Sequence, residues 1–110
     1  MVLNKQIDNI IKDPEIYYSY FSQQYEKLLV LSKSVTENGY DLEQQTSVKL
    51  ALLDALGKLS IAMGALNGMR EEVLIAYWNG IEKQRARVGE NPDALKKYEE
   101  AVLKVGKSCM

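Results

Sequence analysis

The stretch Leu59–Met69, LSIAMGALNGM, runs eleven residues without a charge and carries glycines at 64 and 68. Gly57 stands just before it, in a segment otherwise rich in Leu and Ala. Each interior glycine costs a helix about 1 kcal/mol relative to alanine. Two or three together cost on the order of 2–3 kcal/mol, a large share of a small domain's stability. Yet the apolar spacing through this stretch is helical. On a helical wheel residues 48–69 resolve into three adjoining stripes. Val48, Leu52, Leu56, Leu59, Met63 and Leu66 form the middle one, which is large. Gly57, Ser60, Gly64 and Gly68 form a small-residue stripe with Leu53 among them, and Ala51, Ala55 and Ala62 lie on the other side. Asp54 and Lys58, an i,i+4 pair, mark a narrow polar face. A helix apolar around most of its circumference must be surrounded.

Small residues spaced four apart leave a groove where another backbone approaches closely, as in dimerising membrane helices. Two charges and a short uncharged run argue against a membrane helix here. The groove therefore has two readings: internal packing against the Tyr-rich helix over 15–37, or a seat for a second copy or partner helix. The second makes Gly57, Ser60, Gly64 and Gly68 candidate interface residues.

Working outward, the punctuation of the chain is helical. Asp13-Pro14-Glu15 reads as a helix start, with an Asp cap, Pro in the first turn and an acid at the positive end of the dipole. Asn38-Gly39-Tyr40-Asp41 ends one helix and opens another; Gly39 suits the left-handed C′ position, and Asp41 with Gln44 forms a capping-box-like pair. Asn91-Pro92-Asp93 repeats the start signal after Gly89. At Asn67-Gly68 a break separates two helices, or else residues 41–88 form one helix roughly 70 Å long at 1.5 Å per residue. The break is the reading carried forward.

Tyr17, Phe21, Leu28, Leu31 and Val35 share a stripe in the second helix, with Gln24 as its polar member. Leu95, Tyr98, Val102 and Val105 do so in the last, where Glu100 and Lys104 are spaced for an i,i+4 pair. No useful length alternates in the manner of a strand. The expectation is an all-α single domain: an antiparallel bundle of four to five helices over about 3–12, 14–37, 41–67, 69–88 and 92–106, oligomeric in solution.

Composition bounds the function. The chain has 110 residues, 46% of them hydrophobic and 26% charged, with 14 basic against 15 acidic side chains. A net charge of −1 argues against a general nucleic-acid binder, which needs a basic field. There is no histidine, which removes the commonest general base and metal ligand. The lone Cys109 builds neither a zinc site nor an internal disulfide, which suits a reducing, cytoplasmic setting. Glu71-Glu72 and Glu99-Glu100 read as solvated surface. No signal-peptide core or membrane span is present in the sequence. No catalytic, cofactor or metal residues are assigned.

The aromatic run YYSYFSQQY puts five rings in residues 17–25. Tyr17 and Phe21 read as core, while Tyr18 and Tyr20 are interface candidates, because tyrosine brings area and a polar tip together. Lys83, Arg85 and Arg87 form a basic stretch near a helix end, a candidate contact for an anion or nucleic acid. The leading expectation is a non-enzymatic protein–protein interaction module, such as an adaptor, chaperone, inhibitor or structural subunit, that self-associates or binds a protein partner. A nucleic-acid-associated regulator using 83–87 is the alternative. A small helical enzyme using Arg, Lys and Glu is the third.

Overall fold

A computed structural model describes residues 5–109. Five helices follow one another: α1 (Lys5–Lys12), α2 (Pro14–Glu37), α3 (Leu42–Leu66), α4 (Glu71–Ala86) and α5 (Pro92–Cys109). Leu3, expected in the first helix, lies outside the described residues. The last helix runs three residues beyond the expected end at 106, because Gly106 and Cys109 are buried and carry its inner face onward.

The break at Asn67-Gly68 is real, and its chemistry is that of a Schellman cap. Gly68 takes φ +82°. Its N–H donates to Ala65 O (3.1 Å), and the Met69 N–H donates to Gly64 O (3.0 Å), so two of the terminal carbonyls are satisfied. The same motif closes α2. Gly39 sits at φ +70°, Gly39 N–H donates to Thr36 O (3.4 Å) and Tyr40 N–H to Val35 O (3.2 Å). At the start of α3 the Asp41 carboxylate accepts from Gln44 N–H at 2.8 Å, as the sequence pattern expects. Asp13 behaves differently. Its side chain makes no cap hydrogen bond; its backbone carbonyl accepts from Tyr17 N–H at 3.3 Å instead.

Helix α3 is the axis of the molecule and touches each of the other four. Phe21 lies beside Lys58 and Val35 beside Val48, so α2 runs antiparallel to α3. Gly64 faces Leu74 and Gly57 faces Trp78 and Ile81, so α4 is antiparallel as well. Then α5 returns parallel to α3: Glu99 pairs with Lys49 at 2.8 Å, Gly106 abuts Ser60, and the Cys109 carbonyl accepts from Asn67 Nδ2 at 2.6 Å. The pair expected between Glu100 and Lys104 does not form among the described residues; the acid that pairs is its neighbour Glu99.

The arrangement is not a closed bundle. Among the described residues α2 meets only α1 and α3, and never α4 or α5. On α3 Gly57, Ser60, Gly64 and Leu53 are buried, as is Leu59 of the large stripe, while Val48, Leu52, Leu56 and Met63 are half-buried and Leu66 is exposed. The small residues let α4 and α5 close on the axis.

Candidate interaction surface

Each small residue has a neighbour that explains it. A Cβ at Gly64 would meet Leu74 Cδ2 at 2.6 Å, Cys109 Sγ at 3.0 Å and Met69 Sδ at 3.1 Å. At Gly106 it would stand 3.3 Å from Ser60 Oγ. Ser60 returns its own hydroxyl to Leu56 O at 2.9 Å, so a fully buried polar group is satisfied. At Gly57 the nearest atom, Trp78 Cζ3, lies at 3.4 Å, an ordinary contact. The stripe is therefore filled from inside, by α4 and α5 rather than by the Tyr-rich helix. Gly57, Ser60 and Gly64 face no solvent and offer nothing to a second chain. Gly68 is exposed, but its role is the positive φ of the cap.

Tyr18 and Tyr20 part company. Tyr18 is half-buried and packs at the edge of the core. Tyr20 is 53% exposed, its ring edge-on to Phe21 at 5.1 Å and its hydroxyl accepting from Gln24 Nε2 at 3.1 Å. Phe21 itself is buried, stacked on Tyr17, with the Lys58 ammonium 5.6 Å above its ring. Lys58 also pairs with Asp54 at 2.8 Å, so one side chain ties α2 to α3 and caps the polar face.

The surface that stands out is the one around Tyr20. Ile16, Tyr20, Val30 and Leu31 are all exposed on α2, and Val30 reaches 69%. Leu31 is a correction, since its stripe placed it in the core; among the described residues neither α4 nor α5 reaches α2 to cover it. Past the turn Tyr40 and Leu42 are exposed as well, Leu42 at 77%. Beside it, Leu31, Val35, Tyr40 and Val48 line a shallow groove of about 280 Å³ between α2 and α3. On this side of α2 two exposed apolar ends, Ile16 with Tyr20 and Val30 with Leu31, flank the exposed Gln23, Gln24 and Lys27. Alternation of core and surface in the sequence gave no warning of it, because these residues adjoin the buried stripe on the wheel.

No family model, no curated protein and no solved structure matches the chain. Its function has to be argued from its own residues.

The basic stretch does not form one patch. Lys83 and Arg87 are an i,i+4 pair on the exposed side of α4, and Arg87 lies 3.4 Å from Glu90. Arg85 is turned roughly 160° away from both, onto the stripe of Leu74, Trp78 and Ile81. There Asp54, Trp78, Ile81, Glu82, Arg85 and Ala86 line an open cleft of about 160 Å³ between α3 and α4, with Glu82, Arg85 and Ala86 themselves exposed. Two buried donor hydrogens find no acceptor in this part of the core, on Trp78 Nε1 and the Tyr98 hydroxyl. Burial pushes the Tyr98 phenol up to about 12; Asp54 adds to the rise, and Arg85 works against it through its charge and by donating to the hydroxyl oxygen. The sequence reading missed the buried polar atoms of Trp78 and Tyr98, although the i,i+7 spacing of Trp78 and Arg85 was a usable signal.

Among the described residues no group of His, Cys, Asp and Glu is placed to hold a metal. No helix there is long and apolar enough to cross a membrane. Cys109 is buried, and burial raises its thiol pKa, so it packs as a small apolar group rather than acting as a nucleophile.

Proposed function

We propose that this protein is a non-enzymatic interaction module that pairs with a second copy of itself through the outer face of α2. The observation that carries the reading is the uncovered side of that helix, with Ile16, Tyr20 and Leu31 in solvent on one face.

The face is self-complementary. An antiparallel pairing about a two-fold axis at Gln23 and Gln24 sets Ile16 against the Leu31 of the other copy and Tyr20 against its Lys27. Gln23, Gln24 and Lys27 are exposed and available for this. Apolar meets apolar at both ends, a lysine meets an aromatic face, and amides meet at the centre. A two-fold contact of this isologous kind is the commonest in soluble oligomers. Two helices of this length make a small interface, so the association is concentration-dependent. A cytoplasmic location belongs to the same reading, supported by the single unpaired cysteine. The nucleic-acid alternative has less to rest on: Lys83, Arg85 and Arg87 are all exposed, but they do not share one side of α4.

Cysteine cross-linking tests the geometry, because the native Cys109 is buried. Gln24→Cys should form a disulfide-linked dimer under mild oxidation, while Glu100→Cys on exposed α5 should not. Equal cross-linking at both sites would overturn the assignment of the face.

A further inference from the structure

Asn-Gly occurs three times in the chain, at 38–39, 67–68 and 79–80. The pair has a chemistry of its own. The glycine nitrogen, with no Cβ beside it to obstruct the approach, can attack the asparagine side-chain carbonyl carbon. The new N–Cγ bond closes a cyclic imide; the Cγ–Nδ2 bond breaks, and ammonia leaves with the glycine amide proton. Water then opens the imide at either carbonyl to give aspartate or isoaspartate, with no change of oxidation state. Asn91 is outside this chemistry because Pro92 has no N–H.

All three asparagines are exposed, so access to water does not separate them. The bonds around them do. Asn38 and Asn67 stand at ψ 1° and 3°, where the glycine nitrogen eclipses the asparagine's own nitrogen and lies away from Cγ. The turn must open locally before the ring closes, so whatever holds each turn sets the rate. Asn67 is held firmly. Its Nδ2 donates to the Cys109 carbonyl at 2.6 Å in a partly buried bond, Gly68 N–H donates to Ala65 O at 3.1 Å, and Gly64 beside it is packed by Leu74, Met69 and Cys109. Asn79 lies well inside α4, next to the buried Trp78, so opening there breaks the helix. At Asn38 the Gly39 N–H bond is stretched to 3.4 Å, and the side-chain bond to Ser34 Oγ, at 3.1 Å, is exposed to water.

We propose that Asn38 is a site of spontaneous deamidation, which the native fold allows there and suppresses at Asn67 and Asn79. The product places a carboxylate between Glu37 and Asp41, at the negative end of the α2 dipole, where it is unfavourable. The isoaspartyl form also adds a backbone carbon to the turn that joins α2 to α3. Among the described residues α2 is held by α1 and α3 alone, so the modification acts on one of its two attachments.

The experiment incubates the full chain at physiological temperature and pH, in native buffer and in denaturing urea, and maps amide-to-acid conversion at each asparagine by mass spectrometry. In native buffer Asn38 should convert about tenfold faster than Asn67 or Asn79, the upper value of one net hydrogen bond. In urea, where no turn survives, the three should convert at similar rates. Asn38→Gln, whose side chain needs a larger ring, should remove most of the acidic shift that the aged native chain shows on isoelectric focusing. Equal native rates, a faster Asn67 or Asn79, the same ordering in urea, or an undiminished shift in Asn38→Gln would each overturn the proposal.

Discussion

A methyl group at Gly64 would stand 2.6 Å from Leu74 Cδ2, with Cys109 Sγ at 3.0 Å and Met69 Sδ at 3.1 Å on its other sides. Three elements thus converge on one missing side chain. Gly64→Ala should destabilise the protein by about 1–2 kcal/mol, overpacking outweighing the gain in helix propensity. Gly57→Ala, whose nearest contact is an ordinary 3.4 Å, should instead be neutral or stabilising by up to about 1 kcal/mol. Urea unfolding of the two variants checks the contrast; equal effects would contradict the packing account.

A second contrast separates backbone conformation from space. Gly68 and Gly80 both have nothing within 4 Å of a built Cβ. Gly68→Ala should nevertheless cost about 1–2 kcal/mol, because its φ of +82° is left-handed. Gly80→Ala, inside α4, should gain about 1 kcal/mol. The thermal midpoints should move in opposite directions.

Alkaline pH should weaken the fold through Tyr98. A pKa raised in the folded state means that the native protein holds the proton more tightly than the unfolded chain. The stability this contributes is fully present below the unfolded pKa and is lost as pH rises through the folded one. For Tyr98 that window runs from 10.0 to about 12, and burial of Cys109 acts in the same direction above its ordinary 9.0. Denaturant midpoints measured across this range should fall, and Tyr98→Phe should flatten the fall. An unchanged slope in that variant would assign the loss elsewhere.

The five helices and their breaks were legible in the sequence because Gly39, Gly68, Pro14, Pro92 and Asp41 each act locally, through φ or a cap. The inner face of α3 was not. Periodicity places Gly57, Ser60 and Gly64 on one stripe and Leu52, Leu56 and Met63 on the next, but it does not say which neighbour lies over which. The Tyr-rich helix and a second chain were the candidates to cover the small stripe; α4 and α5 cover it instead. Leu31 was misplaced for a related reason, since its wheel position adjoins the true contact stripe of Tyr17, Phe21 and Val35. Helix spacing alone sets Arg85 on the side of α4 opposite Lys83 and Arg87; that Asp54 of α3 lies beside it was not legible.

Lys58 offers a test of how α2 is held. Its ammonium serves both the Phe21 ring and the Asp54 carboxylate. A double-mutant cycle between Lys58→Met and Phe21→Leu should show a coupling of roughly 0.5–1 kcal/mol. Zero coupling would mean that α2 is held by apolar contact alone.

The pairing of α2 with a second copy is tested most directly by light scattering over a concentration series. The account predicts that the mass rises from 12.5 kDa toward twice that value. Leu31→Glu should hold it at the monomer mass, and Leu103→Glu, an exposed apolar position on α5, should leave the rise intact. A chain that stays at 12.5 kDa throughout, or that dimerises equally well with Leu31→Glu, would contradict it.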